Sequence, residues 1–506
     1  MLVATASCNT EPLFCLDTTS NFPNKGKSYG ATWADLDQDG QLDFMLGHHG
    51  RGTGVYLNRP GMTLARQDSC SYLPCTSQDQ HGVAACDYDG NGTWDMYVTV
   101  GADRGEGEGP NQMWSRNSEG LFENAIPPTH FMADHMGRGR GALWLRIDDD
   151  TFPELLVLNY KTPARLYRFD GQAWADYSGV VNPFHTPNPR RVERNNGSSF
   201  GVATAGDLDN DGRTDLMLAG AGFFIFQNGE PGNLLDVTEA AGFPVRAPGL
   251  ADLALGDLDN DGDLDALFCF RYVGGIEVYL NESTAGNIRF VEGPSLENLP
   301  LAPERDSVLL ADFDNDGVLD LLVMMQDQEK KNRSDLLARG VGDGSFTDVS
   351  STWGADEVVE ALPRGSWAMD VDHDGDLDLL KVHGKGEFPE RAGLCSMYEN
   401  RAHNNGVTVE LLIPGGVPHG MGARVTLHSA LGAQMREVRS VIHHGNSTIA
   451  PVHFGVGLAN GPYRVVIIWP GGDKQVVILP EAGRAYQVTK SIVLASVWQG
   501  GQGWTP

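Results

Sequence analysis

The sequence predicts an all-β chain: a seven-bladed β-propeller over residues 14–401, a small β-sandwich-like domain over 404–490, and a tail at 491–506. Three observations carry that expectation. A nine-residue acidic pattern recurs along most of the chain, each period has room for four short strands, and Leu16-Asp17-Thr18-Thr19 near the N-terminus matches the outer-strand signature Leu235-Asp236-Val237-Thr238. With 63 Gly and 27 Pro in 506 residues the chain is rich in turns, and its 41% hydrophobic content suffices for a large core.

The repeat reads DLDQDGQLD from Asp35, DYDGNGTWD from Asp87, DLDNDGRTD from Asp207, DLDNDGDLD from Asp257, DFDNDGVLD from Asp312 and DVDHDGDLD from Asp370. A degenerate copy, RIDDDTFPE, begins at Arg146, so the seven starts lie about 56 residues apart. A hard divalent cation needs six to eight oxygens around a tightly curled backbone, and this spacing provides them. Positions 1, 3, 5, 7 and 9 are Asp35, Asp37, Asp39, Gln41 and Asp43 in the first loop, and Asp87, Asp89, Asn91, Thr93 and Asp95 in the second. The next two intact loops offer Asp207, Asp209, Asp211, Arg213 and Asp215, then Asp257, Asp259, Asp261, Asp263 and Asp265. The last two offer Asp312, Asp314, Asp316, Val318 and Asp320, then Asp370, Asp372, Asp374, Asp376 and Asp378.

Position 7 varies freely, as expected if it contributes only its carbonyl oxygen, while position 6 is Gly in every intact copy. An EF-hand would carry an acid at position 12 and a helix beyond it; here apolar strand-like runs follow, so the loops are read as strand-flanked calcium sites for about six Ca2+ ions. In the degenerate copy Arg146 is expected to pair with Asp148 and Asp150 in place of an ion.

Within one period, ADLALGD precedes the loop, DALFCF follows it, and GIEVYLN and IRFVEG complete four strands. After Met397-Tyr398-Glu399-Asn400 the seventh unit passes into different sequence. The N-terminal strand is therefore expected to complete the last blade.

These loops, the strands ending YLNR, VYLNE and MYEN, and Gly342-Asp343-Gly344-Ser345-Phe346 resemble the FG-GAP or VCBS repeats of integrin-α-type propellers. Gly422-Ala423-Arg424, Arg436-Glu437-Val438, His453-Phe454-Gly455-Val456-Gly457-Leu458 and Trp469-Pro470-Gly471-Gly472 resemble the ASPIC/UnbV domain. The pairing is similar to the cartilage acidic protein 1 family. It implies a secreted or surface calcium-binding protein and no single known activity.

The acidic excess, 67 Asp and Glu against 37 Lys and Arg, disfavours nucleic acid and anionic membranes as partners. No apolar run is long enough to span a bilayer. The location expected is extracellular, cell-surface or periplasmic, although Met1 to Ser7 lacks the basic start of a complete signal peptide. Cys8 with Cys15 and Cys70 with Cys75 are close enough in sequence to bridge, or all can remain thiols. In the C-terminal region VTVELLI, ARVTLHS, EVRSVI, YRVVIIW and QVVIL read as strands; His443, His444 and His453 follow no zinc spacing, and Arg424 and Arg436 are candidates to anchor the domain on the acidic propeller.

The resemblance implies that the calcium loops share one face, so residues six or seven places before each loop ring the opposite mouth. There stand Tyr29, His81, Arg140, Arg305 with Asp306, and Arg364, with Lys27 eight places before the first loop. Insertions from Pro127 and Asn182, rich in His, Arg and Pro, are expected to converge there. The arginines can hold a protein, glycan or small anionic ligand at this upper face, or pair with neighbouring carboxylates. The enzymatic alternative is alkylation or cyclisation at the mouth, with His81, Arg140, Asp306 and Arg364 as catalytic candidates and His81 or Asp306 as base.

Overall fold

The computed structural model describes residues 13–16, 28–48, 53–60, 62–67, 79–101, 109–135, 137, 139–159, 164–178, 202–219, 223–243, 249–271, 275–302, 304–326, 335–354, 362–384, 395–414, 420–443, 446–490, 495–498 and 504–505. Seven antiparallel sheets follow one another along the chain as the blades of a propeller. In blade 1 the order from the channel outward is Ser28–Ala34, Asp43–His48, Gly54–Arg59, Thr63–Gln67, and blades 2 to 6 repeat it. Blade 7 takes Leu362–Met369, Asp378–Gly384 and Cys395–Asn400 from its own stretch and Phe14–Leu16 from the N-terminus. Phe14 lies opposite Asn400 and Leu16 opposite Tyr398, closing the ring as expected. Phe14 is 1% exposed and its ring stands 5.3 Å from that of Phe313 in blade 6, so the closing strand also joins two blades through the core.

Alternation and burial explain the blades. The second strands, such as Asp95–Val100, Asp215–Ala219 and Asp265–Phe270, are buried along their whole length because a neighbouring blade covers each face. The outermost strands are three to five residues long and half exposed, which shortens the sheet edges.

The C-terminal region forms two sheets facing across one apolar core that includes Val407, Val409, Val425, Leu427, Val465 and Ile467. Residues after 490 are more than a tail: Ala495–Trp498 and Trp504–Thr505 extend one of these sheets. Nor does the domain keep to itself. Its hairpin Ser440–His443 with Asn446–Ile449 enters the propeller, where Ser447 pairs in parallel with Ala84 on the innermost strand of blade 2, giving that sheet six strands. The hairpin lies against the innermost strands of blades 1, 2, 3, 4, 6 and 7, so it occupies the central channel. The Thr32 hydroxyl donates to the Ser447 carbonyl (2.9 Å), and Trp33 N–H donates to the Thr448 hydroxyl (3.1 Å).

Cys15 is disulfide-bonded, while Cys86, Cys269 and Cys395 are buried thiols; Cys8, Cys70 and Cys75 fall outside the described residues. Among the described residues no helix is long and apolar enough to cross a membrane.

Candidate functional site

Each acidic loop joins the first and second strands of its blade. Position 6 explains the invariant glycine: Gly40, Gly92, Gly212, Gly262, Gly317 and Gly375 have φ between 83° and 99°. At Gly92, Gly212 and Gly262 an added Cβ would meet no atom within 4 Å, so backbone conformation, not space, excludes other residues. The first-position carboxylate caps the turn. Asp35 accepts from the amides of Asp39 and Gly40 at 3.0 Å each, and Asp207 accepts likewise from Asp211 and Gly212.

The ninth position ties the loop to the third strand. Asp43 accepts from Leu36 and Asn58 amides at 2.8 Å, and Asp215, Asp265, Asp320 and Asp378 repeat that pair of bonds. Position-7 side chains turn to other partners: Arg213 pairs with Asp211, Asp263 accepts from Asn210, and Asp376 accepts from Asn315 and the Ala402 amide.

Carboxylate oxygens converge in triads such as Asp35, Asp37 and Asp39, Asp87, Asp89 and Asp95, Asp207, Asp209 and Asp215, and Asp257, Asp259 and Asp265, within 4.8 Å in each. Burial first, then mutual repulsion, drives these acids toward protonation. Asp35 and Asp257 are pushed up to about 6, Asp207 and Asp312 to about 7, and Asp43, Asp95 and Asp265 to about 8. Asp257 is 2% exposed, yet neither of its carboxylate oxygens is hydrogen-bonded. Such buried, convergent hard oxygens suit a divalent cation.

The degenerate loop of blade 3 differs from expectation. Arg168, from the third strand, bridges Asp148 (2.7 Å) and Asp150 (2.9 Å), whereas Arg146 reaches only the Asp150 carbonyl at 3.4 Å. The third strand faces the loop, so a cation there is better placed than one at the loop's own first position. Arg59 and Arg339 reach the loops of blades 1 and 6 in the same way.

Two further sets of loop contacts were not read from sequence. Third-strand asparagines cross to the preceding blade: Asn58 donates to the Val371 carbonyl, Asn228 to Ile147, Asn281 to Leu208 and Asn400 to Phe313, at 2.7 to 2.9 Å. Fourth-position residues cross to the following blade: Gln38 donates to the Gly92 carbonyl, Asn260 to Gly317 and Asn315 to Gly375. The recurring Asn near the end of the third strand and the amide side chain at position 4 were the available signals.

At the opposite mouth the inner strands share one irregularity. Six of them shift register near their start, and the residues skipped are Tyr29, His81, Arg140, Ala251, Asp306 and Arg364. All four candidate residues thus occupy bulges, which re-aim a side chain out of the ladder. The glycine after Tyr29, His81, Arg140 and Arg364 was the signal for it.

Charges of the bulged residues His81, Arg140, Asp306 and Arg364 act on one another across the mouth. His81 lies 3.1 Å from Asp79, while burial and then the charges of Arg140 and Arg364 press its basicity down to about 3. Asp306 pairs with Arg271; burial raises its pKa, which Arg271 and Arg364 oppose. Arg305 does not take part, because its guanidinium donates to the Phe270 carbonyl at 2.8 Å and to that of Ala302. The insertion from Pro127 folds back onto blade 2, with Met132 fully buried and its carbonyl accepting from the Tyr97 hydroxyl at 2.6 Å. Lys27, the Tyr29 side chain and the insertion from Asn182 lie outside the described residues.

Residues 35–98, 207–268 and 257–323 match the FG-GAP-like repeat, and residues 415–493 match ASPIC and UnbV. The chain is 24% identical to cartilage acidic protein 1 of Homo sapiens, over 93% of this chain and 74% of that protein. It is also 24% identical to the Xenopus tropicalis protein, over 92% and 74% respectively. Among solved structures it is similar to YCF48 bound to D1 peptide, with a TM-score of 0.44 and 8% identity, over 78% of this chain and 96% of that one.

Proposed function

We propose, for a chain of FG-GAP-like repeats with a C-terminal ASPIC/UnbV domain distantly homologous to cartilage acidic protein 1, a calcium-stabilised binding protein of the extracellular space, cell surface or periplasm. About six Ca2+ ions brace the intact loops through positions 1, 3, 5 and 9 and the position-7 carbonyl. Sites of the extracellular kind fill at ~10⁻⁴ to 10⁻³ M calcium. The ligand, a protein, glycan or small anion, seats at the upper mouth on Arg140 and Arg364.

The observation that carries this reading is the ring of bulges, which brings His81, Arg140, Asp306 and Arg364 to one mouth from blades 2, 3, 6 and 7. Two arginines face a neutral histidine there, a donor set suited to carboxylate or sulfate. The enzymatic alternative at the same mouth is less supported, since an imidazole of pKa about 3 is a poor general base at neutral pH.

The test is binding of the full chain, in millimolar calcium, to an array of carboxylated and sulfated oligosaccharides. Arg140→Ala and Arg364→Ala are each expected to weaken binding ~10- to 100-fold, the loss typical of a charge-assisted hydrogen bond. Unchanged binding in both variants would remove the mouth from consideration.

A further inference from the structure

The C-terminal domain does not dock on the propeller at random. It meets the calcium-loop face, and on blades 4, 6 and 7 it contacts the first-position aspartate. In blade 4 the Asp207 amide donates to both Glu437 oxygens at 3.1 and 3.3 Å, and Arg424 lies 3.6 Å from Asp207 Oδ2. In blade 5 Arg436 acts on Asp257, and the same guanidinium acts on Asp312 of blade 6. Asp312 Oδ2 also accepts from the Gly455 amide at 3.0 Å, and in blade 7 Asp370 Oδ2 accepts from the Thr408 hydroxyl at 2.9 Å. The approach is close: a Cβ on Gly455 would stand 2.2 Å from Asp312 Oδ2 and 2.4 Å from the Asn315 carbonyl carbon.

These contacts flank the channel hairpin on both sides. Arg436, Glu437 and Arg439, whose guanidinium donates to the Leu255 carbonyl, immediately precede the strand Ser440–His443. After Asn446–Ile449 the chain reaches His453, whose Nε2 is 2.6 Å from Asn315 Oδ1 at position 4 of the blade 6 loop, and then Gly455. Both ends of the hairpin are therefore pinned to calcium loops, and its body sits between the inner strands.

We propose that Thr408, Arg424, Arg436, Glu437 and Gly455 are positioning residues for the calcium sites of blades 4 to 7, so that filling those sites seats the C-terminal domain and drives its hairpin into the channel. The proposal rests on the calcium reading above. The first-position carboxylate caps its own loop and meets the docked domain. An ion that fixes this carboxylate also fixes the docking surface, and an empty loop of mutually repelling acids does not. By linkage, docking must raise the calcium affinity of these four loops in return.

The experiment is hydrogen exchange by mass spectrometry on the full chain, in millimolar calcium and in EGTA, with bound calcium counted in parallel by calorimetry. In calcium, segments 440–449 and 80–86 are expected to be protected. In EGTA both are expected to exchange at least 10-fold faster, while Tyr463–Ile468 and Lys474–Leu479 within the domain stay protected. Thr408→Val and Arg436→Gln, at saturating calcium, are expected to speed exchange in 440–449 and to weaken only the calcium sites of blades 4 to 7. Calcium released by EGTA with the hairpin still protected overturns the proposal and leaves the calcium reading intact. No calcium bound at all overturns both.

Discussion

Lys381 is a single cation in a strand that is apolar in most other blades. It is fully buried, its ammonium 3.0 Å from Asp335 of blade 6 and 4.9 Å from the centre of the Tyr398 ring. A buried charge left without its partner is costly, so Lys381→Met is expected to destabilise the calcium-loaded protein by ~3 to 5 kcal/mol. Adding Asp335→Asn, which keeps an acceptor for the Met325 amide, should restore a substantial part; denaturation midpoints of the two variants check this. No restoration would mean that the lysine acts through packing rather than charge. His81 gives a pH dependence of definite sign. Its pKa is near 3 when folded and near 6.5 when unfolded, so its contribution is present above pH 6.5 and is lost as pH falls toward 3. Relative to His81→Gln, the wild type should lose about 1.4 kcal/mol per pH unit below 6.5, read from paired melts at pH 7, 6 and 5. A constant gap between the two proteins would contradict the burial of a neutral imidazole.

Blades are held together by strands and by the asparagines between them. The closing strand Phe14–Leu16 adds three backbone partners and one fully buried ring to blade 7. Phe14→Ala is expected to cost ~3 to 5 kcal/mol and removal of residues 1–16 more, with exchange rising first in Cys395–Asn400. Melting temperatures that match wild type would show the ring closed by other means. The nonapeptides, their strands and this closure were legible because each is a local pattern repeated in register. The mouth residues were legible by their distance from the loops, although the bulges that aim them were not. Arg168, Arg271, Asp79 and the inter-blade asparagines were not legible, because their partners lie on other strands or other blades. The hairpin was read as one more strand of the sandwich, since nothing in EVRSVI distinguishes a strand that leaves its own domain.

At the scale of the molecule, the proposed calcium sites would make the acidic excess in part a metal requirement. Six dications would offset 12 of the net charge of -30, and elemental analysis of chelator-stripped, reloaded protein is expected to find six. Seven would mean that Asp148, Asp150 and Glu154 of blade 3 hold an ion without the first-position carboxylate and the glycine, which are Arg146 and Thr151 there, and one or none would leave the loops as turns alone. Because the empty loops hold carboxylates pushed up to about 7 or 8, calcium uptake at pH 7 should release protons and tighten as pH rises. Titrations in two buffers of different ionisation enthalpy measure that release, and equal heats would contradict it. The pairing of Phe14 with Asn400 also sets an order of events during synthesis. The strand Phe14–Leu16 leaves the ribosome before the blades it joins and must wait, unpaired, until nearly all of the propeller has emerged. The hairpin that fills the channel emerges later still, so the newborn ring closes around an empty bore that waits for the domain made after it.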